Sequence, residues 1–180
     1  KVNRFVHVIC GDVNKMPYPR ATFDITICHY FLLWVDAQEA LNAMIEVTRP
    51  GGYVIALAEP DYRDRIDYPP ELELFGDLQT SSLIKSGANP IMGRLLPSLF
   101  HSSGLCEITT GIIGAEWSAP PELIQVTSEQ ETMIEDLTSQ IDRNQLAHYS
   151  QVDRVAWKSG SRVLYIPTFF ALGRVPENPT

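Results

Sequence analysis

Phe23-Asp24-Ile25-Thr26-Ile27-Cys28-His29-Tyr30, Asp36-Ala37-Gln38-Glu39 and Arg49-Pro50-Gly51-Gly52-Tyr53-Val54-Ile55-Ala56-Leu57-Ala58-Glu59-Pro60 decide the fold of this 180-residue chain. The first segment is apolar apart from Asp24 and Thr26, which predicts an inner parallel strand covered on both faces. Asp36 and Glu39 have capping-box spacing, and Ala40, Leu41, Met44, Ile45 and Thr48 recur at helical period until Pro50. Gly51-Gly52 turn the chain into a strand over Tyr53 to Ala58. Strand, helix and strand make one βαβ unit with a right-handed crossover expected.

Upstream, Val6 to Cys10 is β-branched and apolar and closes on Gly11-Asp12, as a buried strand does on reaching a loop. Met16-Pro17-Tyr18-Pro19 then forbids helix. Downstream, Pro69-Pro70 starts a helix with Leu72, Phe75, Leu78 and Leu83 on its apolar positions, ending at Gly87. Ile91, Leu95, Leu96, Leu99 and Phe100 space a second helix ending at Gly104, and Cys106 to Ile113 return as a strand. Ser128-x-x-Glu131 opens a long helical region with Met133, Ile134, Leu137 and Ile141 on one face, continued by Leu146 to Trp157. Val163 to Leu172 is a last strand, broken by Pro167 at a bulge or an edge.

The totals bound the function. With 44% apolar and 20% charged residues the chain can bury an ordinary core, so we expect a single domain. Fourteen Lys and Arg against 22 Asp and Glu give a net charge of −8, and no basic run marks a path for phosphates. Nucleic acid is therefore not the expected partner. The apolar runs fall far short of the ~20 residues that cross a bilayer, which predicts a cytoplasmic protein without a membrane partner. Cys10, Cys28 and Cys106 are odd in number and widely spaced, and we read them as buried thiols with no disulfide and no metal.

Several of these segments, in this order, resemble the class I S-adenosylmethionine-dependent methyltransferases, in the small-molecule branch related to ubiquinone and menaquinone biosynthesis. They are Gly11-Asp12-Val13 with Met16-Pro17-Tyr18-Pro19, Phe23-Asp24-Ile25, Arg49-Pro50-Gly51-Gly52, Gly87-Ala88-Asn89-Pro90 with Gly93-Arg94, Leu96-Pro97, and Ser103-Gly104-Leu105. The resemblance implies an α/β, Rossmann-like sheet ordered 3-2-1-4-5-7-6 with its last strand antiparallel. Val6 to Cys10 would be strand 3, Phe23 to His29 strand 4, Tyr53 to Ala58 strand 5, Leu105 to Ile112 strand 6 and Val163 to Leu172 strand 7. Strands 1 and 2 and the Gly-rich cofactor loop have no counterpart, since no G-x-G occurs here. The expectation is one incomplete domain over residues 1–175, short of two βα units or roughly 60 residues, with helical lid insertions at 61–90 and 118–160 and a tail at 176–180.

The same resemblance implies that the cofactor is S-adenosylmethionine, leaving as S-adenosylhomocysteine. Asp12 would accept from the adenine amino group and the Val13 N–H would meet the adenine ring. His29 and Tyr30 would lie near the methionine part of the cofactor and the methyl acceptor, with His29 as the candidate general base, its ordinary pKa being near 6.5. Its alternative role is to line the pocket with its backbone. Asp24 is expected to fix local backbone. Glu59 and Asp61 end a strand at the ligand face and are candidates to orient a small-molecule acceptor, or else solvated loop acids. Tyr62, Arg94, Trp117 and His148 fall in segments resembling the acceptor cover, with Arg94 able to pair an acidic substrate or one of the chain's own acids. No nucleophile elbow, phosphate loop or zinc-protease helix is present. Two other classes remain open: a non-catalytic module that self-associates as a homodimer through the sheet edge left by strand 1, and a dinucleotide-dependent oxidoreductase, which shares the layout but lacks its glycine loop.

Overall fold

The structure, a computed structural model, describes residues 7–114 and 142–177. Its centre is the expected parallel pair. Strand β1 (Phe23–His29) leads through helix α1 (Ala37–Val47) to β2 (Thr48–Pro60), with Ile25 opposite Tyr53 and His29 opposite Leu57. Asp36 caps α1 by accepting the Glu39 N–H at 2.9 Å, satisfying one of the free donors of the first turn.

The register runs from Phe23 opposite Thr48 to Ile25 opposite Tyr53, so Arg49 to Gly52 loop out of the ladder. Gly51 turns there with φ of 77°, and a Cβ on Gly52 would lie 2.7 Å from the Asp24 carbonyl oxygen. Glycine takes the first position without strain, and only glycine fits the second. Arg49 reaches back across the loop to Asp24 at 2.5 Å in an exposed ion pair.

The remaining elements are β3 (Ile66–Tyr68), α2 (Glu73–Lys85), α3 (Met92–Ser102), β4 (Cys106–Ile113), α4 (Arg143–Ser159), β5 (Val163–Tyr165) and β6 (Thr168–Arg174). The main sheet has the order β1-β2-β6-β4, with β6 antiparallel to both neighbours. One apolar core unites Leu41 and Met44 of α1, Leu96 and Phe100 of α3, and Val54, Ala56 and Ala171 of the sheet. Both helices thus cover the same face.

Three expectations are corrected. Residues 7–10 form no strand and are exposed, Val8 by 90% and Cys10 with it. No neighbouring strand among the described residues offers them partners, and an unpaired extended segment gains nothing over water. Strand β1 is likewise covered on one face only, because α1 and α3 share that face; Ile25 and Ile27, in the opposite phase, are 51% and 57% exposed. Val163 to Leu172 is not one strand. Ile166-Pro167 divides it, Pro167 having no N–H for a ladder, so β5 pairs with β3 in a separate two-stranded sheet while β6 enters the main one.

The small sheet belongs to a second packing unit with α2 and α4. Leu72 and Phe75 are buried against Leu78, Leu146, Tyr149 and Val152. Beside them runs a buried chain of alternating charges: Arg65 to Asp67 at 2.5 Å, Asp67 to Arg162 at 2.7 Å and Arg162 to Asp153 at 2.7 Å. Residues 115–141, which hold Trp117 and the helix expected after Ser128, lie outside the described residues.

Two charges of each sign cancel in that chain, and the Arg162 side chain is 0% exposed. Removing it in Arg162→Ala takes the shared guanidinium from two buried carboxylates and leaves Asp67 to Arg65, so urea denaturation should show a loss of about 3–5 kcal/mol. A loss under about 1 kcal/mol would mean that the acids are solvated.

Candidate functional site

In open α/β sheets ligands gather beyond the carboxyl ends of the parallel strands, which here are His29 and Glu59 with the residues that follow them. His29 is exposed, and its ring lies 5.2 Å from that of Tyr30. Tyr30 has φ of 50°, a left-handed conformation that costs an aromatic residue energy and persists only where surroundings impose it. Its N–H points back to the Leu57 carbonyl at 3.4 Å.

The end of β2 explains what imposes it. Ala56 stands opposite Ala171 and Glu59 opposite Phe169, three steps on one strand against two on the other. The extra residue is a bulge at Ala58, with φ of 55°. Strict alternation would place Glu59 on the face of Ile55 and Leu57; the bulge turns it to the helix-covered face of Ala56. There its carboxylate is fully buried and accepts from the N–H groups of Phe31 at 2.9 Å, Leu32 at 3.1 Å and Leu33 at 3.3 Å. Successive N–H groups converging on an anion form a nest, and this one ties the chain after β1 to the end of β2.

Next along the chain, Asp61 is buried at 1% exposure and binds Arg94, which also reaches Asp64 at 2.8 Å. The hydrogen bond to Asp61, with that to Asp64, pushes the Arg94 guanidinium above its ordinary range. Gly93 permits this approach, since a Cβ there would stand 2.6 Å from the Phe169 ring and 2.7 Å from the Glu59 carbonyl oxygen. Gly93-Arg94 is therefore a device for docking α3 on the end of β2.

The expected site residues thus sort by position. Glu59 and Arg94, considered as groups for an acceptor, are engaged within the fold: one by three backbone N–H groups, the other by two of the chain's own acids. His29 and Tyr30 join them through Phe31, and Tyr62 through its N–H to the Pro90 carbonyl at 2.8 Å. Asp12 caps the short turn Val13–Lys15, accepting from Asn14 N–H at 3.0 Å, and Asn14 in turn donates to Glu39 of α1 at 3.4 Å. The Val13 side chain packs on the main core. His148 is exposed on α4, beside Tyr149, and Trp117 lies outside the described residues.

A cavity of about 600 Å³ opens between the turn Tyr62–Asp64 and α2, lined by residues including Arg65, Asp67, Asp77, Thr80 and Ser81. Sequence reading missed it because its walls come from a three-residue turn and one polar helix face, neither of which has an apolar period. Among the described residues no cluster of His, Cys, Asp and Glu is placed to hold a metal ion, and no helix is long and apolar enough to cross a membrane.

Residues 1–56 match the model of a methyltransferase domain. Over 90 residues, 48% of the chain, the sequence is 40% identical to an uncharacterized methyltransferase of Schizosaccharomyces pombe, and this covers 31% of that protein. Among solved structures, a putative methyltransferase from Bacillus halodurans C-125 aligns with a TM-score of 0.52 at 12% identity, over 92% of this chain and 70% of the other. The [4+2]-cyclase SpnF aligns at 0.51 and 16% identity, over 94% and 56%. The chain thus has a methyltransferase-like α/β fold with a mixed sheet, and its first 56 residues are similar to a methyltransferase domain. That a cyclase shares the fold leaves the reaction to be argued from the site.

Cys28 lies against this site, and burial, reinforced by the negative charge of Glu59, pushes its thiol up to about 12 from an ordinary 9.0. Between those values the unfolded chain has lost a proton that the folded one keeps, so the Cys28 contribution is complete below pH 9 and falls as pH rises toward 12. Denaturation of the protein and of Cys28→Ala from pH 8 to 11 should show the unsubstituted chain losing more stability above pH 9. Equal pH slopes would place Cys28 in contact with water.

Proposed function

We propose that the protein is an S-adenosylmethionine-dependent methyltransferase acting on a small molecule. The observation that carries the reading is a coincidence of place. The stretch matching a methyltransferase domain, residues 1–56, contains Asp12-Val13 and the parallel strand end at His29 and Tyr30. We read β1, β2, β6 and β4 as strands 4, 5, 7 and 6 of that fold, in the order β1-β2-β6-β4.

The residues present fit the cofactor. Asp12 commits one carboxylate oxygen, Oδ1, to Asn14 N–H and is exposed, so its other oxygen can accept from an adenine amino group. Val13 opens the short turn, where a backbone N–H has no acceptor within the turn, and it can donate to the adenine ring. His29 and Tyr30 would line the reaction centre. When bound, S-adenosylmethionine supplies an electrophilic methyl group for an in-line displacement. The chain contributes alignment and exclusion of water, with His29 available to take a proton from an acceptor that carries one. Tyr62 borders both the strand end and the 600 Å³ cavity, which lies within the range that holds small ligands, and we assign the acceptor to that side.

A second reading, a self-associating module, is favoured by the exposed Ile25 and Ile27 on β1, which pairs only with β2 among the described residues. Both readings are tested together. Calorimetric titration of S-adenosylhomocysteine into this chain, and in parallel into the product of the whole reading frame, should show binding to that product. Asp12→Ala should weaken it by about tenfold, the worth of one charge-assisted hydrogen bond. Binding to neither, with a dimer in sedimentation, would move the assignment to the self-associating module.

A further inference from the structure

We propose that Glu59 is a positioning residue for the site: its carboxylate gathers the N–H groups of Phe31, Leu32 and Leu33 and so fixes His29 and Tyr30 where the cofactor would lie. This role rests on the methyltransferase reading. It replaces the sequence expectation that Glu59 orients the acceptor, because the carboxylate is 0% exposed and faces the chain's own backbone.

Four observations converge on it. The bulge at Ala58 is what brings the side chain to this face, and bulges re-aim side chains next to functional sites. Tyr30 precedes the anchored N–H groups directly and holds a left-handed φ of 50°, a conformation that surrounding structure must enforce. The anchored segment is locked again further on, where the Leu33 carbonyl accepts from Asn89 N–H at 2.7 Å. Finally, the Glu59 backbone is itself clamped, since its carbonyl oxygen lies where a Cβ on Gly93 would stand at 2.7 Å. A rigid strand end thus holds a carboxylate, and the carboxylate holds a loop that has no regular structure of its own before Leu32. Without that charge three N–H groups would be left in a dry pocket, and the loop would leave its turn to satisfy them.

The test uses the product of the whole reading frame. Glu59→Gln replaces an acceptor oxygen with a donor facing N–H groups, Glu59→Asp keeps the charge on a shorter arm, and Phe100→Leu weakens the core at the far end of the sheet, where Phe100 packs on Gly173. Thermal unfolding, amide exchange at residues 30–33 and calorimetric S-adenosylhomocysteine affinity are read for each. Glu59→Gln should remain cooperatively folded, lose exchange protection at Phe31, Leu32 and Leu33, and bind about tenfold or more weakly. Glu59→Asp should recover part of both, while Phe100→Leu should lose thermal stability with affinity unchanged. Unchanged affinity in Glu59→Gln with protection lost at 31–33, or equal weakening in Phe100→Leu, would overturn the positioning role alone. If Glu59→Gln does not fold, Glu59→Asp decides, and protection and affinity unchanged in it would overturn the role. No binding by the unsubstituted protein would overturn the methyltransferase reading and this role with it, while leaving the amide exchange to report the anchor itself.

Discussion

One buried carboxylate joins the parts of this molecule that the chain keeps apart. Glu59 ends β2, yet its bonding partners are the N–H groups that follow β1, and its own carbonyl sits under the first turn of α3. A charge withdrawn from water is tolerated only when it is fully hydrogen-bonded, and three N–H groups meet that condition. The consequence is that the two parallel strands end in one rigid assembly. His29 and Tyr30 lead directly into the anchored N–H groups, and Asp61, bound to Arg94, follows two residues after Glu59.

The glycines of the recognisable motifs act around this assembly in a different way from ligand contacts. Gly52 and Gly93 each sit where a Cβ would meet backbone or ring atoms under 3 Å away. They let the loop before β2 close on β1 and let α3 descend on the end of β2. The segments that resemble a family on sequence therefore owe part of their form to packing, and Arg94 is drawn inward to Asp61 and Asp64.

The unit built from α2, α4, β3 and β5 follows another logic. Its apolar cluster is small, and its connection across some ninety positions of sequence is made by Asp67 bonding Arg162. Buried alternating charges favour one arrangement strongly over its neighbours, because any slip strands a charge. The unit is thereby held in one place beside Tyr62 and the cavity under α2.

By itself the sequence determined the parallel β1-α1-β2 unit, the helices over Glu73–Lys85 and Met92–Ser102, the strand over Cys106–Ile113 and the break at Pro167. Each of these is a local matter of periodicity, caps and missing N–H groups, which a sequence carries openly. It also placed His29 and Glu59 at the ends of β1 and β2, since the strand ends are fixed once the strands are. Only the tertiary structure decided which way Glu59 points, because one inserted residue reverses the face of every side chain beyond it and Ala58 gives no sign of its left-handed φ. Only there, too, does an apolar run such as His7–Cys10 stay out of a sheet, for a strand is a pairing rather than a property of its residues. The partners of Arg94, Asp67 and Arg162 were beyond reach for the same reason: charge is legible in a sequence, but the neighbour that neutralises it is chosen by the fold.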